Sequence, residues 1–171
     1  MAEDVSMARR AAVAGLIVAL STVAIDQAHK LWSIFGLGMK IGDRYAVTPF
    51  LDVIYVINPG ISYGLFAMNS FAGQALLSGF AFLVAIGLTL WLLTATHSHL
   101  VACSIGLVAG GAVGNAIDRL YLGGVADFFS LHAFGFYWYI FNIADVAIVA
   151  GVIGLLYDSL VLSRNRASNQ A

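Results

Sequence analysis

Charge is scarce in this chain, and so are cysteine and proline. Only 10% of the 171 residues are charged, eight basic against nine acidic, for a formal net of −1. A balance so close to neutral leaves no basic surface for nucleic acid, and no polyanion partner is expected. The single cysteine, Cys103, can form no internal disulfide, so cysteine usage is silent about redox compartment. Both prolines, Pro49 and Pro59, fall between Gly36 and Gly64. No internal repeat is visible, so an inverted-repeat transporter lacks its best sequence signature. His97 and His99 lie in a short polar turn with no cysteine or acid nearby to complete a zinc set, so no metal is expected. His29 and His132 are isolated and read as interfacial hydrogen-bonding residues, and no cofactor is implied.

What the chain has in excess is apolar surface. Hydrophobic residues make up 61% of it, and its mean hydropathy is +0.91. A helix needs roughly 20 such residues to cross a bilayer. Four stretches approach or exceed that length, at about 11–33, 72–93, 99–117 and 139–162. The expected fold is an α-helical integral membrane protein, a single membrane-embedded domain over residues 1–171. It has four transmembrane helices and a small extracytoplasmic β-rich region, with extracytoplasmic segments at about 36–70 and 120–138. Arg9-Arg10 before the run Ala11 to Leu20 imitates a signal peptide, yet the apolar stretch continues past Asp26 to the interface candidates Lys30 and Trp32. The first helix is therefore expected to be retained.

Basic residues set orientation. Arg9, Arg10, Arg164 and Arg166 flank one side and Lys30, Lys40, Arg44 and Arg119 the other. Lys30 and Arg119 abut acids at helix ends and are discounted, which favours cytoplasmic termini. The run Phe50 to Asn58, rich in branched and aromatic residues, reads as a strand or hairpin, with Asn58-Pro59-Gly60 turning the chain. A second non-helical patch, Gly123 to Tyr137, is dense in aromatics of the kind that favour a membrane interface. The tail from Ser163 to Ala171 is polar and is expected to be disordered.

Against this background the acids stand out, because an ionisable group at membrane depth is costly and calls for a functional account. Asp127 follows Gly123-Gly124-Val-Ala, and Asp145 follows Phe141-Asn142-Ile-Ala. In the third span Gly111, Asn115 and Asp118 stand at i, i+4 and i+7, on one helical face that glycines allow another helix to approach. Helix packing with an interfacial Asp118–Arg119 end explains that pattern as well as function does. Asn142 and Asp145 stand at i, i+3, about 9 Å along a helix that begins near Tyr139, at roughly 1.5 Å per residue. A polar pair that caps the bundle is the plainer account of them. Asp26 and Lys30, at i, i+4, read as a structural ion pair, and snorkelling of Lys30 fits too. Gly60-Ile-Ser62-Tyr63-Gly64 matches the serine-hydrolase elbow G-x-S-x-G, with Asp127 and His132 following in order. That elbow needs a buried α/β sheet, for which four membrane helices leave no room.

Together the motifs resemble the lipoprotein signal peptidase (type II signal peptidase) family, aspartyl proteases of the bacterial inner membrane. The motifs run in the family's order: Asp26-Gln27-x-x-Lys30, Asn58-x-Gly60-x-x-Tyr63-Gly64, Gly110-Gly111-Ala112-x-Gly114-Asn115-x-x-Asp118-Arg119, Val125-x-Asp127-Phe128 and Phe141-Asn142-x-Ala144-Asp145. Ser62-Tyr63 and His29 depart from the family's usual residues. The resemblance implies that Asp127 and Asp145 are catalytic, and that Asn58, Gly60, Asn115, Arg119 and Asn142 bind substrate or support the site. Asp26, Lys30, Gly111 and Asp118 then hold structural or secondary motif positions. It further implies a prolipoprotein substrate with a diacylglyceryl-modified cysteine, cut immediately before that cysteine. The implied setting is the bacterial inner membrane, with the active site near the outer leaflet and the phospholipid bilayer as the other partner. A monomer is expected. The competing reading is a small proton- or cation-coupled transporter in which the acids form a relay. It predicts acids spread through the bilayer depth.

Overall fold

The computed structural model describes residues 2–60, 67–95 and 97–162. Ser62, Tyr63 and the tail from Ser163 lie outside the described residues. Helix α1 (Ala2–Leu31) runs into a π-helical turn, Trp32–Gly36, and then into two antiparallel strands, β1 (Arg44–Thr48) and β2 (Leu51–Asn58). Helices α2 (Phe71–Thr94) and α3 (His99–Leu122) follow, then β3 (Val125–Ala133), β4 (Phe136–Phe141) and α4 (Ile143–Tyr157), which ends in a π-helical turn, Asp158–Leu162.

Four helices are long and apolar enough to cross a membrane. Leu20, Leu83 and Ile153 are each well over half exposed, as lipid-facing side chains must be when no neighbouring helix covers them. Helix α3 is the axis of the bundle: 56% of its apolar window is buried, against 17–22% in the other three. Its small residues explain why. A Cβ on Gly111 would stand 2.6 Å from the Ala144 carbonyl oxygen of α4, and one on Gly114 would stand 2.7 Å from Asp26 Oδ2 of α1. These two positions let α1 and α4 lie against α3 at backbone distance, which is what brings their polar residues together.

The strands form one antiparallel sheet in the order β1-β2-β3-β4. The run Phe50 to Asn58 thus supplies β2, and the aromatic patch supplies a second hairpin that pairs with it through β3. Gly123 ends α3 at φ 75°, in the left-handed region that glycine tolerates. The third helix consequently reaches Leu122, past the expected end at 117, because Asp118 and Arg119 are buried in protein and do not mark a water boundary. The fourth helix differs in the opposite direction. Residues Phe136 to Phe141, partly assigned to a span beginning at 139, are β4, and α4 begins at Ile143. An aromatic run suits a strand edge as well as an interfacial helix end, and pairing of Phe141 with Phe129 and of Ile140 with Ser130 decides for the strand. His132, which reads as isolated in sequence, has Nε2 3.2 Å from Asp52 Oδ1 on β2.

Replacing Gly111 with Val should force α4 off α3 and lower stability by about 1–3 kcal/mol. Gly79→Ala, whose Cβ meets nothing within 4 Å, should be neutral or slightly stabilising. Thermal unfolding in detergent micelles compares the two.

Candidate active site

Charge buried among these helices is held by Lys30. It is 2% exposed, and its Nζ lies 2.7 Å from Asp26 Oδ2 and 2.6 Å from Asp118 Oδ2. The expected i, i+4 pair therefore exists, but it is half of a buried triad, and Lys30 does not snorkel. Gln27 completes the cluster by donating to Asp118 Oδ1 at 2.9 Å and to the Gly114 carbonyl at 3.2 Å. Each carboxylate then uses a free lone pair on another element: Asp26 accepts from the Ala144 N–H of α4 at 3.0 Å, and Asp118 from the Ala126 N–H of β3 at 3.1 Å. The triad so fixes the start of α4 and the strand that carries Asp127. Lys30 fills the space between two acids that a bound cation would otherwise take.

Asp127 lies on β3, opposite Val56, while Asn58 pairs with Val125. Residues i and j±2 on one face of an antiparallel pair are diagonal neighbours. Asn58 Nδ2 accordingly donates to Asp127 Oδ2 at 3.2 Å, and also to the Tyr139 hydroxyl at 3.3 Å. Asp145 lies in the first turn of α4, about 3 Å beyond Ile143 at roughly 1.5 Å per residue. That is shallower than a helix starting at Tyr139 would place it. Asn142 caps this helix with a full capping box. Its Oδ1 accepts from the Asp145 N–H at 2.9 Å, and its own N–H donates to Asp145 Oδ2 at 3.2 Å. The capping role is real, and it does not exhaust the residue: Asn142 Nδ2 donates to Asp127 Oδ1 at 2.7 Å and to Asn115 Oδ1 at 3.1 Å. Asn115 Nδ2 in turn donates to Asp145 Oδ1 at 2.9 Å, and Lys30 Nζ reaches Asn115 Oδ1 at 3.5 Å.

Two carboxyls from different elements thus meet around one amide network. Asp127 is buried and Asp145 half-buried, so the pair opens on the Asp145 side. Burial, and then the neighbouring Asp145 charge, push the Asp127 carboxyl up to about 7, against the hydrogen bonds from Asn142 and Asn58 that favour its ionised form. Arg119, also buried, donates from Nη1 to the Asn115 carbonyl at 3.2 Å and from Nη2 to the Gly60 carbonyl at 3.0 Å. Of the residues expected to be catalytic, supporting or secondary, each is in or beside this network except Gly111, whose role is to admit α4. His29 instead packs against Phe128 and Phe129, with ring centroids 5.2 and 5.1 Å away. Among the described residues, no three His, Cys, Asp or Glu side chains are grouped to hold a metal. Asp26, Asp118, Asp127 and Asp145 gather at one end of the bundle and do not run through it as a relay would.

Sequence reading named Gln27 and Tyr139 without giving either a part in the site, and passed over Gln74. Gln74, 1% exposed, donates to the carbonyls of Pro59 at 2.6 Å and Met68 at 2.5 Å. The available signal was its place in α2, where Gln74, Ser78, Ala85 and Leu92 form one buried stripe at intervals of four and seven.

Apolar helices around a buried acidic centre define a multi-pass membrane protein of enzymatic type. Two solved bacterial membrane enzymes, determined by the in meso method, share the fold: one at TM-score 0.75 and 31% identity over 88% of this chain and 90% of that one, the other at 0.72 and 31% over 86% and 92%. Residues 18–161 match the family Peptidase_A8, signal peptidase (SPase) II. The chain belongs to the signal peptidase II family. It is 50% identical over 152 residues to the lipoprotein signal peptidase of Methylocella silvestris, covering 89% of this chain and 88% of that protein. The lipoprotein signal peptidase of Methylorubrum extorquens is 49% identical over 146 residues, 85% of each chain.

Removing the shared cation should be the costliest single change near the site. Lys30→Met leaves Asp26 and Asp118 buried and unpaired, and should destabilise by about 3–5 kcal/mol. Denaturation in mixed micelles measures this, with Lys40→Met, an exposed lysine, as the control.

Proposed function

We propose that Asp127 and Asp145 are the catalytic pair of an aspartic endopeptidase that cuts diacylglyceryl-modified prolipoproteins immediately before the lipidated cysteine. The activity itself, removal of signal peptides from prolipoproteins, is that of the family. The observation that carries the residue assignment is the Asn142 side chain, which joins both carboxyl-bearing residues in a network opening on one side. Like-charged carboxyls in one site share a proton, and the pair titrates as a unit. The ionised member takes a proton from a water whose oxygen attacks the scissile carbonyl carbon. The protonated member donates to the carbonyl oxygen. Collapse of the tetrahedral diol breaks the C–N bond: the proton taken from water passes to the leaving amine of the cysteine, and one diol hydroxyl returns its proton to the carboxylate that had donated, leaving the signal peptide's carboxyl group. Acid–base help of this kind contributes on the order of 10²–10⁴ in rate. The Asn115 and Asn142 amides and the Arg119 guanidinium orient the pair and substrate carbonyls where water is partly excluded.

The site's shallow depth suits a substrate held by its lipid anchor at the interface. Burial of Lys30 and Arg119 supports leaving both out of the charge count, so Arg9 and Arg10 against Lys40 and Arg44, with Arg164 and Arg166 in the tail, favour cytoplasmic termini, the inner membrane and a site near the outer leaflet. The chain works as a monomer in this reading.

Asp127→Asn and Asp145→Asn should each abolish cleavage of a lipidated precursor while the protein stays folded. Near wild-type processing by either variant would end the proposal, and equal cleavage of an unlipidated precursor would contradict the substrate assignment. The pH profile follows from Asp127. With that carboxyl raised to about 7, the pair loses its shared proton as pH rises through that region, so kcat should fall on the alkaline side with an apparent pKa there. Asn58→Ala removes a donor that favours the ionised form, and should move that limb to higher pH.

A further inference from the structure

We infer that Gln74 is a positioning residue for the reaction: from α2 it fixes, through the Pro59 carbonyl, the turn that holds Asn58 against Asp127. The inference rests on the reading of Asp127 as a reacting carboxyl. Helix α2 is the one spanning helix that sends none of the acids or asparagines into the centre, yet it buries an amide beside it. The Gln74 nitrogen uses both hydrogens, on Pro59 O at 2.6 Å and Met68 O at 2.5 Å, and the Met68 N–H also donates to Pro59 O at 3.1 Å. Its Oε1 is buried without a partner among the described residues.

Pro59 stands between the two residues that orient the site's amide. Asn58 Oδ1 accepts from the Gly60 N–H at 3.0 Å, which turns Nδ2 toward Asp127. The Gly60 carbonyl is held by Arg119 at 3.0 Å and the Pro59 carbonyl by Gln74, so successive peptide groups of the turn are anchored to α3 and α2. Gln74 itself is fixed one turn from Ser78, whose hydroxyl donates to the Ala116 carbonyl at 3.2 Å, and the helix start is capped by Ser70. Two hydrogens on one uncharged nitrogen at this reach are special to glutamine. An ionised glutamate offers only acceptors, and leucine offers neither.

The groups that face Asp127 are Asp145 from α4, Lys30 from α1, Arg119 from α3, Asn142 ahead of α4, and Asn58 from β2. Of these, Asn58 and Arg119 both meet the turn that Gln74 holds, and the cycle with Asn58→Ala isolates the part of the effect that passes through Asn58. The experiment uses the full chain in detergent micelles, a lipidated precursor peptide, and four proteins: wild type, Gln74→Leu, Asn58→Ala and the double variant. It reads kcat against pH, with Asp127 followed directly by carboxyl ¹³C NMR. Gln74→Leu should lower kcat by about tenfold or more through misplacement of a few tenths of an ångström upward. It should also move the alkaline limb and the Asp127 titration to higher pH, as Asn58→Ala does, and the double variant should be no worse than Asn58→Ala alone. A purely structural Gln74 would lower the unfolding temperature and leave the limb in place. An unmoved limb, or an effect that adds in full to that of Asn58→Ala, overturns the inference. Should Gln74→Leu fail to fold, Gln74→Met, neutral, of similar length and without a donor, carries the same expectation. Cleavage by Asp127→Asn would overturn the underlying catalytic reading, whereas an inactive Asp127→Asn with an unmoved Gln74 profile overturns this inference alone.

Discussion

A lysine buried between two aspartates is the constraint on which the rest of the molecule depends. Charges removed from water are tolerable only when paired and hydrogen-bonded, and Lys30, Asp26 and Asp118 achieve this only if α1 and α3 meet at one register. Gly114 makes that register possible, because a side chain there would occupy the Asp26 carboxylate's place. Asp26 Oδ1 and Asp118 Oδ2 also accept from the Ala144 and Ala126 N–H groups, so the pairing that neutralises the helices also sets the first turn of α4 and the first residues of β3. The triad does not touch Asp127 or Asp145 by hydrogen bond. It positions the backbone segments that carry them.

Above the triad, polar groups are shared and not duplicated. Asn142 closes a helix and bridges to Asp127 with the same amide, and Asn115 takes donors from Asn142 and Lys30 on its oxygen while presenting its nitrogen to Asp145. Such sharing fixes which way each amide points, because every oxygen meets a donor and each nitrogen finds an acceptor. Pre-oriented donors around two carboxyls are what acid–base chemistry needs in a setting where water is scarce. The half-buried Asp145 and the buried Asp127 give the pair one open side, toward which a substrate held by lipid can be presented.

Much of this was legible in the chain. Long apolar runs announce helices, a branched and aromatic run announces β2, and Gly111, Asn115 and Asp118 share a face by spacing alone. Elsewhere the local signal was ambiguous. Tyr139 to Phe141 satisfies a helix end and a strand equally, and only pairing with β3 separates them. Lys30 reads as a local partner of Asp26 and as an interfacial charge, since its second aspartate is on another helix. Gln74 is inconspicuous because its partners are backbone carbonyls, which leave no trace in residue identity.

The sequence by itself determined the class of protein and the number of helices, and marked the acids as residues to be explained, because hydropathy and helical periodicity are properties of short stretches and need no distant contact to be expressed. Tertiary structure alone decided that Asp127 from a strand and Asp145 from a helix share one network, that Lys30 is interior, and that α2 contributes through Gln74. Each of these depends on hydrogen bonds and ion pairs between segments far apart in the chain, whose few-ångström geometry exists only once α3 has gathered its neighbours around its glycines.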